Sequence, residues 1–178
     1  SDLERWLTEM RTVAIETNKE WSEKLGVNQS TAITCVKPSG TVSQLVNSAS
    51  GIHPRFSRYY IRRVRGDKKD PLSVFMSNAG VPVESDVMSP TTTDVFSFPV
   101  KAPESSVTVK QTGAMEQLEL WKAYQNHWCE HKPSITIYYT DDEYLEVAHW
   151  IWKNFDMCSG ISLLPCLLYT SPSPRDNR

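Results

Sequence analysis

The segment Thr34-Cys-Val-Lys-Pro-Ser-Gly-Thr-Val-Ser-Gln-Leu45 joins an apolar, partly β-branched run to a helical pattern. The apolar run, residues 31–37, predicts a buried strand. Pro38-Ser39-Gly40 breaks this strand, and residues 41–47 predict a short helix. The first backbone amides of the helix are therefore expected at the end of the strand.

This turn has the composition of an anion site. Unpaired backbone N–H groups and the positive end of the helix dipole both favour an anion at such a place. Ser39, Thr41 and Ser43 add hydroxyl donors, and Gly40 lets a phosphate approach the backbone closely. Because glycine turns between a strand and a helix are common, a purely structural turn is the alternative. The sequence contains neither a Walker A loop nor a Rossmann glycine fingerprint.

Helical and strand patterns alternate on both sides of the turn. Apolar residues recur about every 3.6 positions over residues 2–25, which predicts a long helix that Gly26 ends. Further helices are predicted over 71–79, 113–131 and 142–154, and further strands over 58–65, 94–100 and 134–139. This alternation predicts an α/β layer architecture. Residues 81–111 are rich in Pro, Ser and Thr, but they include a strand pattern, so we expect one domain.

Local signals mark several of these boundaries. Asp70 is expected to cap the helix over 71–79, with Pro71 at its first position. Thr140 and Glu143 form a capping-box pattern before the last helix. Pro99 near the end of its strand indicates a sheet edge, because proline cannot donate a ladder hydrogen bond.

The composition is that of a folded protein. The 178 residues carry 19 Lys and Arg against 21 Asp and Glu, a net charge of -2, and 39% of them are hydrophobic. This composition excludes disorder, and no apolar run approaches the ~20 residues of a membrane span. We therefore expect a cytoplasmic protein with no membrane partner. The near-neutral charge argues against a protein built mainly to bind nucleic acid.

The four cysteines show no CxxC spacing, which favours reduced thiols over disulfides. Cys35, Cys129 and Cys158 are expected to pack as small apolar side chains. Cys166 begins a Ser- and Pro-rich end, residues 166–178, that resembles the translated read-through of a sequencing adapter. We expect this end to be a non-native tail, with a natural flexible tail as the alternative, and assign it no function.

Two further patterns suggest other chemistry. His127-Trp-Cys-Glu-His131 matches the inverted zincin pattern HxxEH, in which two histidines one helical turn apart bind zinc. Pro133 is expected to end the helix too soon for such a site, so we predict a solvated helix end and no metal site. His53, in the sequence Gly-Ile-His-Pro, is expected either to fix its loop or, by resemblance to a known family, to lie near a substrate channel.

A basic strip runs from Arg55 to Lys69. It has seven positive residues against one Asp, with Phe56, Tyr59 and Tyr60 among them. Such a strip can contact phosphates of a nucleotide or of nucleic acid. A solvated strand face with structural ion pairs is the expected reading, and the phosphate contacts are the alternatives.

Several short motifs, taken in order, resemble the adenosylcobalamin-dependent (class II) ribonucleotide reductases, particularly the monomeric ribonucleoside-triphosphate reductases. The matching motifs are Val36-Lys-Pro-Ser-Gly-Thr-Val-Ser-Gln-Leu45, Ser50-Gly-Ile-His-Pro54, Tyr59-Tyr-Ile-Arg-Arg-Val-Arg65, Asp70-Pro-Leu72, Ser97-Phe-Pro-Val-Lys101, Glu116-Gln-Leu118, Ser134-Ile-Thr-Ile-Tyr138 and Ser159-Gly-Ile-Ser162. The resemblance extends over nearly all of residues 1–165.

The resemblance implies a fold and a binding role. It implies that residues 1–165 are the C-terminal part of a ten-stranded α/β catalytic barrel, so the fold expected here is a partial barrel. In that family the matching turn binds the phosphates of the substrate. This assigns substrate-phosphate binding to Pro38, Ser39, Gly40, Thr41 and Val42.

The resemblance also implies the reaction. Such enzymes reduce ribonucleoside triphosphates to 2′-deoxyribonucleotides by thiyl-radical chemistry, with adenosylcobalamin as cofactor and a thioredoxin-like reductant as partner. The catalytic cysteines of the family match no position of this chain, so we assign it no catalytic residue and expect the fragment alone to be inactive. Two alternatives stay open: the large subunit of another reductase class, and a non-catalytic nucleic-acid or anion-binding module that uses the strip 55–69.

Overall fold

The computed structural model describes residues 1–39 and 42–165. Gly40 and Thr41, two of the predicted phosphate-binding residues, and the predicted tail 166–178 lie outside the described residues. The described residues form two compact units, one from the described parts of 1–54 and 109–165, the other from Arg55–Thr108. Neither unit contains a described helix that is both long enough and apolar enough to cross a bilayer.

As far as the structure describes it, the first unit contains four α-helices and two strands. They are α1 (Asp2–Leu25), α2 (Val42–Leu45), α4 (Ala114–His127), α5 (Tyr144–Lys153), β4 (Ile135–Tyr139) and β5 (Ile161–Pro165). The second unit contains one helix and three strands. They are β1 (Tyr59–Asp67), α3 (Pro71–Asn78), β2 (Val83–Ser85) and β3 (Thr93–Lys101). The described residues therefore form a mixed α/β structure, as the alternation of patterns predicted, and the ten-stranded barrel stays a prediction.

Helix α1 confirms the predicted helix over residues 2–25. The Ser1 side chain accepts a hydrogen bond from the Glu4 N–H, and Gly26 ends the helix in the left-handed conformation with φ 66°. One face of α1 contacts α4, where the hydroxyl of Thr8 lies 3.0 Å from Nδ1 of His127. Leu7 is buried on the same helix.

In the second unit, β3 is the middle strand of an antiparallel sheet with the order β1-β3-β2. Strands β1 and β3 confirm two predicted strands, whereas the three-residue β2 was missed. Pro99 lies opposite Ile61 of β1, and β2 pairs with β3 only as far as Phe96. The middle strand therefore accommodates Pro99, because β2 is too short to reach it and Pro99 has no strand neighbour on that side.

The second unit also confirms the predicted helix start at Asp70. The Asp70 carboxylate accepts a hydrogen bond of 2.8 Å from the Leu72 N–H, with Pro71 at the first helical turn. Its two chain ends are joined, since the Arg55 N–H donates to the Val107 carbonyl at 2.9 Å.

Parallel strands β4 and β5 lie against α4 and α5 in the core of the first unit. Trp121, fully buried, meets Trp150 edge to face with ring centroids 6.4 Å apart. Its indole N–H donates to the Pro133 carbonyl at 2.9 Å. The core cluster consists of Ile52, Ala114, Leu118, Trp121, Ile135, Ile137, Val147 and Trp150.

Side chains, not a strand, cover the edge of β4 opposite β5. The buried carboxamide of Gln117 accepts a hydrogen bond of 3.4 Å from the Tyr138 N–H and donates one of 3.3 Å to the Tyr138 carbonyl. Two residues before Tyr138 in β4, the Thr136 N–H donates a hydrogen bond of 3.1 Å to Nε2 of His53. Gln117 is 1% exposed, so water cannot reach these backbone groups. The carboxamide supplies the hydrogen bonds that a neighbouring strand would otherwise make.

Two of the predicted boundaries in the first unit are wrong. The predicted strand over residues 31–37 has no ladder partner among the described residues, and residues 32–37 form no regular secondary structure. The helix predicted to reach residue 131 ends at His127, because the N–H groups of Trp128 and Cys129 both turn back to the Tyr124 carbonyl. The capping box of Thr140 and Glu143 is confirmed, and strand β5 was missed.

We predict that Gln117→Leu destabilises the protein by about 1–3 kcal/mol, because it leaves the buried N–H and C=O of Tyr138 without partners. Urea unfolding measures this loss, and amide hydrogen exchange at Tyr138 should accelerate. Gln125→Leu on the same helix is the matched control, since that carboxamide meets the Ser159 hydroxyl in an exposed contact. Equal stability of the two variants would contradict the role of Gln117.

Candidate functional site

The predicted phosphate-binding turn is described at Pro38, Ser39 and Val42. The Ser39 hydroxyl oxygen accepts a hydrogen bond of 3.1 Å from the Ser43 N–H, and the Ser43 hydroxyl donates to the Ser39 carbonyl at 3.3 Å. Ser39 therefore holds the first turn of α2. A hydroxyl that accepts in this way keeps its own hydrogen for another acceptor.

The loop of residues 50–54 packs against the residues that lead into this turn. Gly51 has φ 57°, and a Cβ at this position would lie 3.3 Å from Cγ1 of Val36 and 3.7 Å from Cα of Pro38. The next residue, Ile52, belongs to the core cluster, against which Val36 also packs. Val36 and Pro38, just before the turn, therefore pack against a loop whose Ile52 is buried in the core.

His53 fastens the same loop to β4. Its Nδ1 lies 2.9 Å from the Ser50 carbonyl, and its Nε2 lies 3.1 Å from the Thr136 amide nitrogen. A carbonyl only accepts and an N–H only donates, so these partners require a neutral ring with its proton on Nδ1. Of the two expectations for His53, the contacts show the one in which it fixes its loop.

Glu130 replaces the missing strand partner of residues 33 and 34. Its Oε2 accepts hydrogen bonds of 2.6 Å from the Ile33 N–H and 3.0 Å from the Thr34 N–H. The Glu130 N–H donates in turn to the Thr34 carbonyl at 2.9 Å. The donated N–H groups of Ile33 and Thr34 hold the pKa of Glu130 below its ordinary value, against the opposing effect of burial.

Trp128 also binds the segment that contains Thr34 and Cys35. Its indole N–H donates to the Cys35 carbonyl at 3.2 Å, and its carbonyl accepts from the Thr34 hydroxyl. Together with Glu130, Trp128 satisfies backbone groups that a sheet would otherwise pair. The interactions span more than ninety positions of sequence, which is why a local pattern predicted a strand here.

The basic strip carries its own counter-charges. Each of four cations lies within salt-bridge distance of an acidic residue in the second unit, in the pairs Arg58–Glu104, Arg63–Glu84, Arg65–Asp86 and Lys68–Asp94. The guanidinium of Arg65 also holds the pKa of Asp86 below its ordinary value. The structural pairing expected for this strip is therefore present. The acids Glu84, Asp86, Asp94 and Glu104 were not identified from the sequence.

The zincin-like pattern is divided by the end of α4. His127 is the last residue of the helix, and His131 lies beyond it, so the two rings do not share one helical face. Nδ1 of His127 contacts Thr8. Among residues 1–39 and 42–165, no group of three His, Cys, Asp or Glu side chains is placed to hold a metal ion.

A cavity of about 610 Å³ opens at the carboxyl end of β4 and was not predicted. Glu143 lies in its wall and accepts hydrogen bonds of 2.9 Å from the Ala114 and Thr140 N–H groups. Burial opposes its ionisation, but these donors together lower the pKa of Glu143. The carboxylate therefore occupies the amide groups at the start of α4 and after β4, where an external anion would otherwise bind.

Comparisons with known proteins agree with the motifs. An adenosylcobalamin-dependent ribonucleoside-triphosphate reductase of Euglena gracilis is 33% identical over 165 residues, which cover 92% of this chain and 23% of that protein. One of Lactobacillus acidophilus is 34% identical over 155 residues, covering 85% of this chain and 21% of that protein. No protein-family model matches the chain.

A comparison with solved structures finds the same kind of enzyme as the two sequence relatives. The crystal structure of a B-12 dependent (class II) ribonucleotide reductase superposes with a TM-score of 0.75 at 28% identity, covering 96% of this chain and 24% of that one. The chain is homologous to a segment of these reductases. It spans about a quarter of their length, and the resemblance inferred from the motifs is confirmed.

We predict that His53→Asn accelerates hydrogen exchange of the Thr136 amide at least tenfold, because asparagine is too short to replace the Nε2 acceptor. His53→Gln is the matched variant, since its carbonyl oxygen reaches the Nε2 position, and it should restore most of the protection. Exchange is measured by NMR or mass spectrometry. Equal acceleration in both variants would show that the ring acts by packing alone.

We predict a pH-dependent loss of stability in Glu130→Gln. The lowered pKa means that the carboxylate stabilises the folded chain above its ordinary pKa of 4.5, and that this contribution is lost as the pH falls through the folded value. Urea unfolding at a series of pH values should therefore show the variant weaker near pH 7 and equal to the parent near pH 3. Glu9→Gln, at an exposed position of α1, should show no such convergence.

Proposed function

We propose that this chain is part of a ribonucleotide reductase that converts ribonucleoside triphosphates to 2′-deoxyribonucleotides by thiyl-radical chemistry. The observation that carries the proposal is the similarity of 165 residues to adenosylcobalamin-dependent ribonucleoside-triphosphate reductases, in the same fold as a class II enzyme. The relatives depend on adenosylcobalamin by name, which favours this class over other reductases with the same barrel.

Within such an enzyme, the segment Pro38 to Val42 would bind the phosphates of the substrate. Support comes from the described part of the turn, where Ser39 orders the start of α2 and keeps a hydroxyl hydrogen to donate. The exposed Val42 and partly exposed Ser39 leave this surface open to a ligand. Gly40 and Thr41 complete the assignment from the sequence motif.

The remainder of the proposed ten-stranded barrel would extend from β5. Among the described residues, β5 pairs with β4 alone, and its Leu163 and Leu164 are 41% and 47% exposed. Helix α1 likewise presents a second apolar face that includes Trp6 and Trp21, each 53% exposed. Uncovered edges and faces of this kind fit a segment that the rest of a longer chain covers.

The cofactor of the proposed enzyme is adenosylcobalamin, which would supply the radical when bound. The described residues show no site for it: both ring nitrogens of His53 are engaged within the chain, and no metal-binding cluster is formed among them. We therefore place cofactor binding, the catalytic cysteines and the contact with a thioredoxin-like reductant in the parts of the enzyme that this chain does not span. A cytoplasmic location belongs to the same proposal.

The alternative of a nucleic-acid or anion-binding module finds less support. It requires the cations of the strip 55–69 to be available to phosphates, whereas four of them face carboxylates within their own unit. Arg55 is 5% exposed, with its guanidinium 3.1 Å from the Tyr60 hydroxyl. The strip is better explained as a network that stabilises the second unit.

We predict that Ser39→Ala combined with Gly40→Val, made in the full-length protein, weakens nucleoside-triphosphate binding at least tenfold. The change removes a hydroxyl donor and places a branched side chain where phosphate must approach the backbone. Calorimetric titration with ribonucleoside triphosphates measures the effect. Ser48→Ala, an exposed serine just after α2, is the control and should bind as the parent does.

The same protein tests the alternative. If the Ser39 and Gly40 changes leave triphosphate binding intact while charge reversal at Arg62 and Arg63 abolishes binding of an oligonucleotide, the proposed function is wrong and the module is supported.

A further inference from the structure

Two cysteines that are distant in sequence, Cys35 and Cys129, lie on neighbouring segments of the first unit. Cys35 stands three residues before the proposed phosphate-binding turn. The two residues that flank Cys129 both contact Thr34, which precedes Cys35: the Trp128 carbonyl accepts a hydrogen bond from the Thr34 hydroxyl, and the Glu130 carboxylate accepts one of 3.0 Å from the Thr34 N–H. The sulfur of Cys35 lies 3.7 Å from the Val36 carbonyl oxygen and 3.9 Å from that of His131. Cys35 therefore lies beside the stretch 128–131, which contains Cys129.

The backbones that carry these sulfurs are fastened together. The Glu130 N–H donates to the Thr34 carbonyl at 2.9 Å, one position before Cys35 and one position after Cys129. The indole N–H of Trp128 donates to the carbonyl of Cys35 itself at 3.2 Å. These contacts hold the backbones of Cys35 and Cys129 close together, and both cysteines are free thiols.

The two thiols differ in access. Cys129 is 4% exposed, and its burial raises the pKa of its thiol. Cys35 is partly exposed. An oxidant arriving from solvent therefore reaches Cys35 first and leaves Cys129 as the internal thiol that completes the exchange.

We propose that Cys35 and Cys129 form a dithiol pair that a glutathione-type disulfide converts reversibly into an intramolecular disulfide. The Cys35 thiolate attacks one sulfur of oxidised glutathione, forms a mixed disulfide and releases one glutathione thiolate. The Cys129 thiolate then attacks the Cys35 sulfur and releases the second. Two protein thiols are oxidised, one glutathione disulfide is reduced to two thiols, and the two protons pass to the released glutathione.

The local backbone permits this closure. A disulfide brings its sulfurs to about 2.05 Å, so closure requires Cys35 and Cys129 to approach each other. Residues 32–39 have no regular secondary structure, so this segment can move toward Cys129 without breaking a helix or a ladder. The bond would tie the chain three residues before Pro38 to the end of α4.

The test uses the full-length protein, reduced and then incubated without denaturant in oxidised glutathione, alkylated with iodoacetamide and digested with trypsin. Trypsin does not cleave the Lys37–Pro38 and Lys132–Pro133 bonds, so Cys35 lies in peptide 25–55 and Cys129 in peptide 123–153. We expect these two peptides linked, with a mass two hydrogens below their sum, and separated again by dithiothreitol. This readout does not depend on nucleotide binding.

Matched variants identify the pair. Cys129→Ser should leave Cys35 as a stable glutathione adduct, and Cys35→Ser should leave Cys129 reduced, whereas Cys158→Ser should retain the linked peptides. The proposal is overturned if the parent accumulates glutathione on Cys35 with no 25–55 to 123–153 link. It is equally overturned if the link forms only after urea unfolds the protein, because contact in the folded chain would then play no part.

Discussion

A strand edge completed by side chains is the constraint on which the first unit depends. Strand β4 lies in the core, and its backbone groups on the side away from β5 require partners that water cannot supply. The Gln117 carboxamide satisfies both the N–H and the C=O of Tyr138, and the His53 ring satisfies Thr136. One strand is thereby tied to a helix and to a loop distant from it in sequence.

The position of the candidate site follows from this edge. His53 holds the loop of residues 50–54 on β4, and Gly51 of that loop packs against Val36 and Pro38. From the opposite side, Glu130 holds residues 33 and 34 through their N–H groups. The phosphate-binding turn proposed at Pro38 to Val42 thus follows a segment that has no strand partner among the described residues but is held by Glu130 before the turn and by the loop of residues 50–54 at Val36 and Pro38.

The parts of the fold predicted from the sequence are those that local chemistry decides. Periodicity and capping residues predicted α1, α3 and the start of α4, and alternating β-branched residues predicted β4. The strand over residues 31–37 was wrong because a carboxylate almost a hundred positions away takes its N–H donors. Of the site, the sequence predicted the turn and its motif, but not the neutral ring of His53 or the carboxylate of Glu130, since neither role leaves a local pattern.

The second unit begins and ends at nearly one point, because the amide of Arg55 is bonded to the carbonyl of Val107. An insertion with joined ends places no strain on the chain that surrounds it. A change of length within the unit therefore need not alter the separation of its two ends. A foreign domain whose own two ends lie equally close together could therefore be grafted between Arg55 and Val107.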